Sequence, residues 1–271
     1  MRSYKRYTRR KRLLKQIAVV ALSPNRVFTK EQIYQHIYEE AESEVNNRIY
    51  GLIKNLRKKI EENPEDICVI VLGDAGINYY GWPKDDKLKT SLNKLGCTFF
   101  CIHGNHEMRP ESIPTYEERE WNGGIVYVEP EYPKLLFAKD GEIYDINRKK
   151  TLVIGGAYSP DRDYRIQMNP HAPLWWKDEQ PSEETKKRVE EKLDSIGWKV
   201  DYVLTHTVPL HCIPTEAFLE SVNQRKVDRS TEEWLQSLED RLEYEKWYAG
   251  HYHIQKEVRK LEIMYENIHE F

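Results

Sequence analysis

Thr98-Phe99-Phe100-Cys101-Ile102-His103-Gly104-Asn105-His106-Glu107 sends an apolar run into a glycine turn that presents Asn, His and Glu together. Upstream, Val69-Ile70-Val71-Leu72-Gly73-Asp74 repeats the design with an Asp. Downstream, Val203-Leu204-Thr205-His206 and Trp247-Tyr248-Ala249-Gly250-His251-Tyr252-His253 repeat it with histidines. Short buried strands with polar residues at their carboxyl ends are how an α/β sheet gathers a site from distant parts of a chain. The expected fold class is therefore α/β, with the four runs converging. Asp oxygen, Asn oxygen and imidazole nitrogen form a donor set suited to Mn²⁺, Zn²⁺ or Fe. His251 and His253 are two apart, so in an extended segment both rings would leave one face and reach adjacent metals.

Taken singly, a Gly-Asp or Gly-Asn-His is more often a turn than a ligand; it is the repetition behind four apolar runs that points to chemistry. His103, His171, His211 and His269 read as strand, loop or tail histidines, with His211 close enough to His206 to substitute for it. Glu107 reads as a group that supports ligands. Trp175 and Trp176, in a polar loop, suit a pocket wall, and Arg109, with Arg162 or Arg165, suits contact with a substrate phosphate.

Gly73-Asp74, Gly104-Asn105-His106-Glu107, His206 and Gly250-His251-Tyr252-His253, with the wording EWNGG, IGGAYS and DEQPS, resemble the calcineurin-like metallophosphoesterases. The likeness runs from Ile67 to Phe271 and is greatest to the small bacterial and phage members. It implies an αββα sandwich that hydrolyses a phosphate ester by metal-activated water. The implied cofactors are divalent metals (Mn, Fe or Zn), two in the family and one or two here. By position, Asp74 would bridge the two metals, Asn105, His206 and His251 would complete one site, and His253 would belong to the other. His106 would protonate the leaving oxygen. Two departures stand out. No Asp-x-His occurs in the chain, so two first-site ligands and the strand that carries them are missing or replaced. Ile77 stands where the family has a second Asp that orients the catalytic His, a task that would pass to Glu107. A slower enzyme is expected.

Residues 1–60 hold 15 Lys+Arg against 5 Asp+Glu, a formal +10, and the remainder 27 against 40, or −13. That break marks a module boundary, placed at 66. Leu13 to Leu22 reads as a helix, Thr29-x-x-Gln32 as a capping box for a second, and Ile49, Leu52, Ile53, Leu56 and Ile60 as the apolar face of a third. Arg48, Lys54, Arg57 and Lys58 lie on the other face of that third helix, suited to DNA phosphates. SPNRVFTKEQIYQHIY and NLRKKIEENPED resemble the winged-helix output domain of OmpR-type regulators, with the wing replaced by the strand at Ile67. The expected organisation is a basic, helical, winged-helix-like module over 1–66 and a phosphoesterase domain over 67–271. A competing reading makes Ile17 to Leu22 the missing strand, with Ser23 and Asn25 where Asp and His should be. A DNA-binding regulator with an inert phosphoesterase half is the alternative function.

The 39% hydrophobic content supports a folded core in 271 residues. No apolar run approaches a membrane span, and Cys68, Cys97, Cys101 and Cys212 show no Cys-x-x-Cys pair. Buried free thiols in a cytoplasmic protein are expected, with no membrane partner. Further expected elements are helices over 84–95, 182–195 and from a Ser230-x-x-Glu233 capping box to Leu242, and an antiparallel stretch over 125–154.

Overall fold

The computed structural model describes residues 15–19, 67–81, 83–168, 174–218, 222–265 and 268–270. Its strands are Lys15–Val19 (β1), Ile67–Val71 (β2), Thr98–Cys101 (β3), Glu117–Trp121 (β4), Gly124–Val128 (β5), Leu135–Ala138 (β6), Ile143–Ile146 (β7), Lys149–Ile154 (β8), Tyr202–Thr205 (β9), Lys246–Ala249 (β10), Lys256–Val258 (β11), Leu261–Ile263 (β12) and Ile268–Glu270 (β13). The helices are Lys84–Asn93 (α1), Arg162–Met168 (α2), Glu183–Ser195 (α3) and Ser230–Glu239 (α4). One sheet runs β13-β1-β2-β3-β6-β5-β4 and the other β11-β12-β10-β9-β8-β7. In the first, β1, β2, β3 and β6 are mutually parallel; in the second, β8, β9, β10 and β12 are.

The alternation of side chains along each strand decides what the sheets pack against. Cys68 and Ile70 of β2, Phe100 of β3, Val153 of β8 and Leu204 of β9 share one buried cluster, which is the layer between the two sheets. Ile67, Val69, Phe99 and Cys101 leave the other face of the first sheet and pack with Leu92, Leu95 and Cys97 at α1 and the turn after it. Leu152, Ile154, Val203, Trp247 and Ala249 leave the outer face of the second sheet and meet Val189 and Leu193 of α3 and Trp234, Leu235 and Leu238 of α4. The result is an αββα sandwich. Its central parallel strands are buried on both faces, which is why they read as unbroken apolar runs.

The expected helix over 13–22 is not found: Lys15–Val19 is a strand. It pairs in parallel with β2, Lys15 opposite Ile67 and Val19 opposite Val71. Ile17 and Val19 are β-branched, and pairing with a strand on each edge, β2 and β13, outweighs helix propensity for such a run. The missing first strand is thus replaced from within the basic N-terminal stretch, and that stretch is not helical at 15–19. The remainder of 1–66, with Thr29, Gln32 and the third-helix face, lies outside the described residues. The Ser230 capping box also fails to form. Ser230 is the first helical residue, its N–H donates to Asp228 Oδ1 at 2.9 Å, and Arg229 is the N-cap. β4 escaped the sequence reading because Glu-Glu-Arg-Glu-Trp has no apolar pattern; it is an edge strand, where charge is common. The antiparallel stretch is real but divided, with β5 and β6 in one sheet and β7 and β8 in the other. The four cysteines are buried free thiols, and no helix among the described residues is long and apolar enough to cross a membrane.

Asp85, in the first turn of α1, accepts the N–H groups of Tyr80 at 3.1 Å and Gly81 at 2.7 Å, closing the loop that leaves Asp74. Burial pushes its carboxyl up to about 6, against the lowering effect of those two N–H groups. An acid whose folded pKa is raised contributes stability below its unfolded value, near 4, and loses it as pH rises through the folded value. Thermal unfolding of wild type and Asp85→Asn should therefore diverge in favour of the variant from pH 4 to pH 7, by on the order of a few kcal/mol. A pH-independent difference would contradict this.

Candidate metal centre

The four sequence-predicted runs end on the same edge of the sandwich. β2 delivers Asp74, β3 delivers Asn105, β9 delivers His206 and β10 delivers His251. Two glycines let the loops meet. A Cβ at Gly73 would fall 2.0 Å from the His206 Nδ1, and one at Gly104 would fall 2.2 Å from Asp74 N and Oδ1. Asp74 and His251 both sit in the left-handed region, at φ 54° and 69°. Such backbone strain in non-glycine residues costs about 1–3 kcal/mol each, and here it falls on two candidate donors.

Asn105 is the centre of the arrangement and is fully buried. Its amide nitrogen donates to Ser159 Oγ at 2.8 Å, while that hydroxyl donates back to the Asn105 carbonyl at 3.4 Å. The side-chain oxygen is thereby turned toward the histidines, 2.9 Å from His206 Nε2 and 3.1 Å from His251 Nδ1. His206 Nδ1 lies 2.7 Å from the Leu72 carbonyl, which only accepts, so Nδ1 carries the hydrogen and Nε2 the lone pair in the neutral ring. That lone pair faces Asn105 Oδ1 and, at 3.6 Å, Asp74 Oδ1. Acceptors turned toward one another in a buried site are what a cation reconciles. Donors about 2.1 Å from one metal ion sit about 3 Å apart on an octahedral edge, which matches these spacings. The residues present fit a divalent metal.

His106, buried, follows Asn105, and its backbone N–H donates to Asp74 Oδ1 at 2.9 Å. Its ring does not meet Glu107. The Glu107 carboxylate instead accepts the Gly104 N–H at 2.7 Å, and burial pushes its pKa up to about 8, aided by the Asp74 charge. The Arg165 guanidinium is the group that reaches His106, in contact with Nδ1 and 3.1 Å from Nε2; the Asn105 amide nitrogen is 3.0 Å from Nε2. Arg165 is itself buried and held by Asp161 at 2.9 Å and the Leu174 carbonyl at 2.7 Å. Ile77 is a core residue packed with Val69 and Phe99.

Ser159 was missed by the sequence reading, although a signal was there: β8 is a fifth apolar run, and Gly155-Gly156-Ala157-Tyr158-Ser159 follows it. The Ser159 N–H donates to the Glu179 carboxylate at 3.0 Å, which anchors the serine. At His253 φ is 51°, so the segment is not extended as expected, and the exposed ring stacks on Tyr265 with centroids 5.5 Å apart. Trp176 packs edge-on against Tyr79, and Arg162 lies over the Trp175 and Tyr158 rings. His103 is buried with Nε2 3.0 Å from the Glu107 carbonyl. His171 and the candidate DNA contacts Arg48, Lys54, Arg57 and Lys58 lie outside the described residues.

Arg109 Nη1 pairs with Asp140 Oδ2 at 2.7 Å, both side chains buried, and its Nε donates to the Asp178 carbonyl at 2.6 Å, while Nη2 is buried without a hydrogen-bond partner. Asp140 Oδ1 accepts the Gly155 N–H at 2.6 Å, tying the pair to the loop that carries Ser159. Removing one partner of a buried pair strands the other, at about 3–5 kcal/mol. Arg109→Ala should lose stability of that order in denaturant titration. Full stability with a raised KM would instead put Arg109 on substrate.

Comparison with known families agrees with this architecture. The family described as calcineurin-like phosphoesterase matches residues 44–255, and that described as transcriptional regulatory protein, C terminal, matches residues 2–75. The two matches share residues 44–75. No curated protein matches the chain. The first family hydrolyses phosphate esters and generally uses divalent metals. Its match covers well over half the chain, across both sheets and all four converging loops, and the chain belongs to the calcineurin-like phosphoesterase family.

Proposed function

We propose that the chain is a metal-dependent phosphoesterase in which Asp74, Asn105, His206 and His251 hold one divalent cation, Mn, Fe or Zn, and the neighbouring family position is depleted. The observation that carries this reading is the meeting of Asn105 Oδ1, Asp74 Oδ1 and the His206 Nε2 lone pair in a buried cluster. The depletion follows from sequence beside β1: Val20-Ala21-Leu22-Ser23-Pro24-Asn25-Arg26, where that strand leads, holds no Asp or His.

Bound there, the metal supplies a Lewis acid and a nucleophile at neutral pH. The Leu72 carbonyl orients His206, and Ser159 orients Asn105 so that its oxygen faces both histidines. His106, beside that ligand, is set to hydrogen-bond the leaving oxygen, with Arg165 holding the ring where the family uses a carboxylate. Mn²⁺-stimulated hydrolysis of an aryl phosphate should fall to the uncatalysed rate in His251→Ala, while Arg165→Ala should lower kcat more than it raises KM. Equal activity of wild type and His251→Ala would refute the reading.

A second reading, DNA binding through the N-terminal region, is favoured by its formal +10 charge and by the regulatory-protein match at 2–75. Joint replacement of Lys54, Arg57 and Lys58 by Ala should flatten the slope of log K for duplex DNA against log salt, by roughly 0.9 per phosphate contact removed. An unchanged slope would count against it.

A further inference from the structure

The loop beyond His206 carries donors that the first site does not use. Leu210–Cys212 forms a 3₁₀ turn packed against α4. There the donor atoms of His211, Cys212 and Glu239 all lie within 4.8 Å of one another. Cys212 Sγ is 3.3 Å from His211 Nε2. His211 Nδ1 faces Gln236 Oε1 at 2.5 Å, an atom that only accepts, so Nδ1 carries the hydrogen and the Nε2 lone pair is the one beside the sulfur. One Glu239 oxygen accepts the Tyr244 hydroxyl at 2.6 Å. The other is buried without a hydrogen-bond partner, 3.3 Å from His211 Nδ1. An open depression of about 430 Å³, lined by His211, Gln236, Glu239, Asp240 and Arg259, gives access from solvent.

We propose that Cys212, His211 and Glu239 form a separate site for a borderline-soft divalent ion of the Zn²⁺ class, with its fourth position open to water from the depression. A tetrahedral zinc with a thiolate at about 2.3 Å and an imidazole at about 2.0 Å places sulfur and nitrogen about 3.5 Å apart, close to the spacing here. The thiolate separates this site in metal preference from the oxygen and nitrogen donors around Asn105. Burial and the Glu239 charge push the Cys212 thiol up to about 12, so the sulfur keeps its proton at neutral pH until a metal displaces it. Binding forms the sulfur–metal bond as the S–H bond breaks and its proton leaves to solvent. The site would staple the loop after His206 to the end of α4, and its role is structural.

Cobalt(II) reports thiolate ligation directly. The full chain loaded with Co²⁺ should show thiolate-to-cobalt charge-transfer absorption in the near ultraviolet. His251→Ala should keep the band, Cys212→Ser should lose it, and Glu239→Gln should weaken Co²⁺ binding. Because His251→Ala removes the Asn105-centred site alone, failure of the phosphoesterase reading leaves this band in place. In the unaltered protein, under alkaline conditions that label Cys212 in the metal-free chain, Zn²⁺ should slow that alkylation, read by peptide mass, a measurement that needs no variant to fold. No band at saturating Co²⁺, a band that survives Cys212→Ser, or alkylation at an equal rate with and without Zn²⁺ would each overturn the site.

Discussion

The side-chain amide of Asn105 is the group on which the candidate centre turns. Its nitrogen is committed to Ser159, and its oxygen is left to two imidazoles delivered by strands of the other sheet. An ionised Asp here could only accept, so it would lose the N–H···O bond to Ser159 that turns the Asn105 oxygen toward the histidines. His206 is oriented from behind by a backbone carbonyl, that of Leu72, one residue beyond the strand that also delivers Asp74. Each donor thus depends on a loop from another strand, and the glycines at 73 and 104 exist in that light as clearances. Burial makes the arrangement demanding, since turned-in acceptors without a partner are costly in a low-dielectric site.

Most of the central strands and the four donors were legible because parallel strands buried on both faces leave unbroken apolar runs, and the donors sit directly behind them. The bonds that orient the donors were less legible. The Leu72 carbonyl has no side-chain signature, and the Arg165 contact with His106 joins residues 59 apart in a loop-rich stretch. Glu107 looked from sequence like the group that orients His106, but its carboxylate turns back to the Gly104 turn. Backbone conformation at the two histidines was not legible either: a left-handed φ at both His251 and His253 departs from the extended segment expected there.

The run Gln16-Ile17-Ala18-Val19 shows how tertiary context overrides a local reading. As a helix it would have begun a three-helix module; as β1 it fills the sheet position beside β2, between β2 and β13. The two family matches overlap over 44–75, and β2 lies in that shared stretch. With β1 bonded on one edge and β3 on the other, the backbone of Ile67–Val71 has no edge left for a wing hairpin. The N-terminal stretch and the phosphoesterase sheet therefore share structure. The charge break at residue 60 marks a change in composition that the sheet does not follow.

The central claim is that a metal sits on the Asn105 oxygen. Crystals of the full chain grown with Mn²⁺, with diffraction recorded at the manganese absorption edge, test it without any knowledge of the substrate. The account predicts an anomalous peak about 2.1–2.3 Å from Asn105 Oδ1, His206 Nε2, His251 Nδ1 and an Asp74 oxygen. A well-ordered Asn105 with no peak beside it, or manganese held only elsewhere, would contradict it.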